Sequence, residues 1–199
     1  MQSQQIKTNG GKVPPFAVEL KHIRKSFGLV HANQDINLNV QAGTIHGIIG
    51  ENGAGKSTLM SILYGFYQAD DGAIIINGTP VTFRQPSDAI AVGIGMVHQH
   101  FMLVPNFTVL ENIILGSEGN KGLKTGLDQA RIELRRLAQT YGLDVALDAQ
   151  TEELPVGIQQ RIEILKALYR GADILILDEP TGVLTPQETE QLFEILRAL

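Results

Sequence analysis

Residues Gly50-Glu51-Asn52-Gly53-Ala54-Gly55-Lys56-Ser57-Thr58 read G-x-x-x-x-G-K-S/T, a spacing suited to cradling the phosphates of a nucleoside triphosphate. Each residue type has a physical task there. Gly50, Gly53 and Gly55, with Asn52 among them, let successive backbone N–H groups turn inward and form a nest for phosphate oxygens. The helix expected to open at Lys56-Ser57-Thr58 adds partial positive charge at the same spot. Lys56 reaches the β- and γ-phosphates, and the Ser57 hydroxyl is placed to ligate Mg²⁺. A glycine-rich turn with a surface lysine would need none of these coincidences.

A second group of residues lies far downstream. Ile174-Leu175-Ile176-Leu177 is a continuous apolar run, the pattern of a parallel strand buried on both faces. It ends in Asp178-Glu179-Pro180-Thr181. A carboxylate at such a strand end can hold Mg²⁺, often through water, opposite a phosphate loop. The next carboxylate points elsewhere and can orient or deprotonate an attacking water, help worth roughly 10²–10⁴ in rate. Asp-Glu-Pro alone also suits an acidic turn. Its pairing with the upstream loop gives Asp178 a metal role and Glu179 a catalytic one.

Several elements must position these groups. Apolar Ile48-Ile49 predicts a strand entering the phosphate loop, and Leu59, Ile62, Leu63 and Phe66 predict a helix leaving it. From Phe16 to Gly50 apolar and polar residues alternate, as in Phe16, Val18, Leu20 and Ile36, Leu38, Val40. Breaks at Phe27-Gly28 and Gln41-Ala42-Gly43 divide this stretch into antiparallel strands. Ile74-Ile75-Ile76 and Val81-Thr82-Phe83, split by Asn77-Gly78, predict a hairpin. Pro86 to Val92 reads as a short helix stopped by Gly93, and Ile94 to His98 as a buried strand. Thr108-Val109-Leu110-Glu111 is a capping box opening a helix to Leu115. Ser117 to Gly126 reads as a glycine-rich loop. Leu127, Ala130, Leu134, Leu137 and Tyr141 share one helix face, and Ile158, Ile162, Leu165 and Leu168 another. Thr185, Pro186 and Glu188 open the last helix, with Leu192, Phe193, Leu196 and Leu199 as its apolar face.

The chain has 199 residues, enough for one well-packed domain with a subdomain. Its net charge of −5 lacks the basic excess of a nucleic-acid-binding surface. It has no cysteine, which excludes disulfides and thiolate metal sites. No apolar run approaches the ~18 residues of a membrane span. Met1 to Pro15 is polar, without the apolar core of a signal peptide, and reads as a flexible tail.

The order of motifs resembles an ATP-binding-cassette (ABC) ATPase over about residues 16–199. The phosphate loop is followed by Gln99 after the Ile94–His98 strand. Leu154-Pro155-Val156-Gly157-Ile158-Gln159-Gln160-Arg161 and then Leu177-Asp178-Glu179-Pro180-Thr181 complete the series. The runs Met96–Pro105 and Arg161–Ala172 look like the cassettes of bacterial simple-sugar and nucleoside importers. His98-Gln99-His100-Phe101-Met102 is nearer the nucleoside type.

The resemblance implies an α/β fold: an antiparallel β subdomain, a RecA-like parallel-sheet core and an α-helical subdomain. The core takes in about 16–106 and 171–199, and the helical subdomain about 107–170. It implies ATP and Mg²⁺ as ligands. Phe27 would stack on adenine, an interaction of about 1–3 kcal/mol in nucleic-acid systems. Gln99 would sense Mg²⁺ and the attacking water from a loop facing the membrane partner. Gly157 would lie beside the γ-phosphate held by an opposing cassette. His98 and His100 read as loop or packing residues, since no third ligand completes a zinc site.

Some positions depart from the superfamily pattern Leu-Ser-Gly-Gly-Gln: Pro155 replaces serine, Val156 the first glycine and Ile158 the glutamine. Gly182-Val183-Leu184-Thr185 stands where Ser-Ala-Leu-Asp is usual, and Thr185 is explained as an N-cap. The histidine that cassettes carry on the strand after the last helix has no counterpart before Leu199. The chain therefore reads as a C-terminally truncated, N-terminal cassette of a longer protein.

The expected function is ATP hydrolysis driving uptake of a simple sugar or nucleoside. The expected partners are membrane permease subunits, a second cassette and, indirectly, an extracytoplasmic solute-binding protein, with no nucleic acid. The expected location is the cytoplasmic face of the membrane, without a transmembrane segment. Two alternatives remain at this level: a soluble, non-transport ABC ATPase, and an ATP-binding module with little hydrolysis.

Overall fold

The computed structural model describes residues 16–99, 101–117 and 123–199. The expected tail, residues 1–15, and His100 lie outside them. By internal contacts the chain divides into two compact units: residues up to His46 with Asp70–Thr82, and Gly47–Ala69 with Phe83–Leu199.

The first unit is an antiparallel sheet. Strands β1 (Phe16–Phe27), β2 (Val30–Gln41), β3 (Asp71–Ile76) and β4 (Thr79–Val81) lie in the order β2-β1-β3-β4. The alternating pattern predicts antiparallel strands with one face turned inward, and the structure adds their order. Val18, Leu20 and Ile23 of β1 are buried with Ile74 and Ile76 of β3. Register places Leu20 opposite both Leu38 and Ile74. The Asn77-Gly78 hairpin forms, pairing Ile76 with Thr79, but its second strand is Thr79–Val81 rather than Val81–Phe83, because the two-residue turn starts the ladder at Thr79.

The second unit holds the phosphate loop. Helices α1 (Lys56–Leu63) and α2 (Pro86–Ala91) precede β5 (Ile94–Val97). Then come α3 (Val109–Ile114), α4 (Leu123–Tyr141), α5 (Val156–Tyr169), β6 (Ile174–Leu177) and α6 (Pro186–Ala198). Strands β5 and β6 pair in parallel, Ile94 with Ile174 through Val97 with Leu177. Both capping boxes form. Thr108 and Thr185 accept hydrogen bonds from the Glu111 and Glu188 N–H groups, and both glutamates reach back. The core joins Val109, Leu110 and Ile113 of α3, Ala130, Leu134 and Leu137 of α4, and Ile162, Ile164 and Leu165 of α5 with Leu192 and Ile195 of α6. Buried Asn112 ties α3 to the turn before it. Its side chain accepts from the Val104 N–H at 2.7 Å and donates to Thr151 Oγ1 at 3.3 Å.

The structure corrects several expectations. Residues 44–50 form no strand, and Ile49 is 98% exposed. Apolar content nominates a strand, but a hydrogen-bonded neighbour makes one, and the described parallel sheet contains only β5 and β6. For the same reason β6 has one neighbour, and only Ile176 of its residues is buried. Helix α1 ends at Leu63, leaving Phe66 outside it. Helix α4 begins at Leu123, inside the stretch expected to be a loop to Gly126. The buried positions of α6 are Leu192 and Ile195, while Phe193 and Leu199 are exposed.

Candidate phosphate-binding and hydrolytic site

The phosphate loop opens directly into α1. Gly55, its N-cap, has φ 84°, and Gly53 has φ 82°, left-handed values that side chains with a Cβ adopt at a cost. No side chain caps α1. Its first-turn N–H groups, those of Lys56, Ser57 and Thr58, therefore point from a helix end with neither an intrahelical nor a capping acceptor. Gly50, Asn52 and Gly53 form the exposed rim of the loop. The Lys56 ammonium donates to the carbonyl oxygens of Gly50 at 2.7 Å and Glu51 at 2.8 Å, which holds the charge inside the loop.

The downstream carboxylates meet this loop. The Ser57 hydroxyl donates to Asp178 Oδ1 at 3.1 Å, although 121 positions separate the two residues. The pairing follows from the parallel sheet, whose ladder continues past β6 with the Asp178 N–H donating to Val97 O at 3.1 Å. A hydroxyl and a carboxylate oxygen this close form a hard-oxygen pair of the kind Mg²⁺ takes, the ion filling its other positions with water and phosphate. Among the described residues no cluster of three or more His, Cys, Asp or Glu could hold a metal.

Glu179 turns away from Asp178. Its φ of 47° is a left-handed conformation that costs a non-glycine residue about 1–2 kcal/mol. Its Oε2 accepts from Gln99 Nε2 at 2.8 Å. Sequence reasoning placed both residues in the site, and the structure adds that they touch. His98, beside Gln99, packs against the rings of Phe66 at 5.5 Å and Tyr64 at 6.1 Å. Burial holds its pKa below the ordinary value, favouring the neutral imidazole.

The stretch around Gly157 has a local use in this chain. Pro155 is the N-cap of α5 and offers no side-chain cap. The Gly157 N–H lies against the Glu188 carboxylate, and a Cβ at Gly157 would stand 2.6 Å from Glu188 Oε1. Phe27 belongs to the first unit. It is 43% exposed, with the Lys25 ammonium 5.5 Å from its ring centroid. A ring that open has surface for stacking.

Sequence reasoning missed two features of α5. Gln160, buried at 3% exposure, donates through Nε2 to the Pro180 carbonyl at 2.8 Å. Glu163 and Lys166 line a cavity of about 90 Å³ with Tyr64, His98, Met102 and Arg170. Glu163 is 4% exposed and its Oε1 makes no hydrogen bond, although Lys166 Nζ lies 3.6 Å away. Helical periodicity gave no signal for either, because both lie off the Ile158, Ile162, Leu165 and Leu168 face and α5 is buried on more than that side.

The chain resembles known proteins over most of its length. A family model described as ABC transporter matches residues 33–182. The guanosine import ATP-binding protein NupO of Bacillus subtilis is 51% identical over 184 residues, covering 92% of this chain and 36% of that protein. The nucleoside import ATP-binding protein NupA of Lactococcus lactis is 50% identical, again over 92% of this chain and 36% of the relative. The chain thus spans about 36% of the length of these curated relatives. Among solved structures, the ADP conformation of MJ1267, an ATP-binding cassette of an ABC transporter, superposes with a TM-score of 0.80 at 25% identity. The match covers 92% of this chain and 76% of that one.

Proposed function

Because the chain belongs to the ABC transporter family, we propose that it binds ATP and Mg²⁺ and hydrolyses ATP to drive solute uptake through a membrane permease. The observation that carries this reading is the convergence of Ser57, Asp178, Glu179 and Gln99 beside the phosphate loop. Lys56 and the first-turn N–H groups of α1 hold the β- and γ-phosphates. Ser57 and Asp178 hold Mg²⁺. Bound there, the ion supplies charge neutralisation to the phosphoryl group. Glu179, oriented by Gln99, accepts the proton of the attacking water. Catalysis of this kind consists of positioning and charge stabilisation. Phe27 contributes adenine stacking.

The solute we assign is a nucleoside, with simple sugars next. This rests on the identity of 51% to the guanosine protein, against 47% to the glucose import protein TsgD13 of Haloferax volcanii. The permease is the partner of the surface around His98, where Phe66 and Met102 are exposed. A second cassette supplies the opposing face of the nucleotide site, and an extracytoplasmic solute-binding protein delivers the solute to the permease. The working location is the cytoplasmic face of the membrane. Among the described residues no helix is long and apolar enough to cross one. Within the cassette, residues 107–170 act as a helical subdomain on a core of 16–106 and 171–199.

The test is the complete protein with Glu179→Gln. ATP binding is expected within about twofold of wild type and turnover reduced roughly 10²-fold or more. Normal turnover in this variant would remove Glu179 from the mechanism. A second reading, nucleotide binding with little hydrolysis, is favoured by the start of α5, where Pro155 carries no hydroxyl and Gly157 already faces a carboxylate. A complete wild-type protein that binds ATP and shows no turnover would establish it.

A further inference from the structure

We propose that Gln160 is a positioning residue for Glu179, acting through the Pro180 carbonyl; the inference rests on the hydrolytic reading above. The turn Asp178-Glu179-Pro180-Thr181 carries a strained backbone, with Glu179 at φ 47°. A turn held in that conformation needs surrounding contacts that favour it over relaxed alternatives. Among the described residues, three hydrogen bonds act on the backbone of Asp178, Glu179 and Pro180. The Asp178 N–H donates to Val97 O at 3.1 Å, and the Gly182 N–H donates to Glu179 O at 3.2 Å. The third is the bond from Gln160 Nε2 to Pro180 O at 2.8 Å. Pro180 has no N–H of its own, so its carbonyl is its one backbone handle.

Gln160 is well placed for this task. It sits in the second turn of α5, with Ile162, Ile164 and Leu165 buried behind it. At 3% exposure its amide is shielded from water, so the bond is not exchanged for a solvent one. Gln99 fixes the side-chain end of Glu179, donating through Nε2 to Glu179 Oε2 at 2.8 Å. Gln99 thus sets where the carboxylate points, and Gln160 holds the backbone that follows it. A small displacement of a reacting group lowers rate far more than affinity. Because Gln160 follows Gly157 by less than one helical turn, a shift at the start of α5 also reaches Glu179.

The experiment compares wild type, Gln160→Leu and Gln160→Glu in the complete protein. Three quantities are measured: ATPase kcat and KM across pH, ATP affinity by equilibrium binding, and hydrogen exchange of the peptide containing Gly182. Gln160→Leu keeps the apolar stem and loses the donor. It is expected to lower kcat about tenfold, leave ATP affinity within about twofold, and speed exchange at Gly182 while α4 keeps its protection. In Gln160→Glu only the protonated acid can donate to Pro180 O. The ratio of its kcat to that of wild type is therefore expected to rise as pH falls. Unchanged kcat and exchange in Gln160→Leu would overturn the proposal. So would a loss of protection spread over the whole unit, with affinity falling in step. If wild type itself does not hydrolyse ATP, the hydrolytic reading fails, and exchange at Gly182 still decides whether Gln160 holds the turn.

Discussion

At the scale of single residues, the site is built from short polar contacts, each with its own measurable consequence. Lys56 donates to two loop carbonyls, and a phosphate offers its ammonium stronger, charged acceptors. Lys56→Ala is expected to weaken ATP binding at least tenfold, about 1.4 kcal/mol, by isothermal titration. Ser57 contributes through its hydroxyl to the pair with Asp178. Ser57→Ala is expected to raise the Mg²⁺ concentration needed for half-maximal ATP binding by about tenfold, leaving Mg²⁺-free nucleotide binding unchanged. Equal Mg²⁺ dependence in the two proteins would take Ser57 out of the metal site. Gln99 and Gln160 act on Glu179 from opposite ends, so their effects on kcat are expected to be non-additive.

At the scale of elements, the helices that frame the site depend on their caps. Thr108 accepts the Glu111 N–H, and its replacement by Ala is expected to cost about 1 kcal/mol, read as a lower Tm. The capping glutamates add a pH dependence. Hydrogen bonds from the Thr185 N–H and then its hydroxyl hold the Glu188 pKa below the ordinary 4.5, and Thr108 does the same to Glu111. A carboxylate whose folded pKa is depressed stabilises the fold fully above the unfolded value and loses that contribution as pH falls through the folded one. Glu188→Gln is therefore expected to lower Tm at neutral pH and to match wild type well below pH 4.5. Both groups are exposed, so the effect is small and screened by salt.

At the scale of the whole molecule, the exposed patch of Phe66 and Met102 is the proposed permease contact. Met102, 62% exposed, has little packing to lose. Met102→Glu is expected to abolish co-purification with the permease while ATP affinity stays unchanged; retained co-purification would move the contact elsewhere. Much of the molecule was legible in the sequence because local rules decide it. Period-two alternation marks β1 and β2, the Asn77-Gly78 turn marks β3, the Thr108 and Thr185 boxes mark α3 and α6, and the phosphate loop is read from its glycines and Lys56. The absence of a strand at Ile48-Ile49 was not legible, because a strand needs a paired neighbour and apolar content alone does not tell whether one is there. The sequence by itself determined which residues can hold a triphosphate, since that chemistry depends on side-chain type and near-neighbour spacing. Only the tertiary structure decided that Ser57 meets Asp178, that Gln99 bonds Glu179, and that a buried amide on α5 bonds the Pro180 carbonyl. Those contacts join residues far apart along the chain, and the pairing of β5 with β6 and the packing of α5 set their distances.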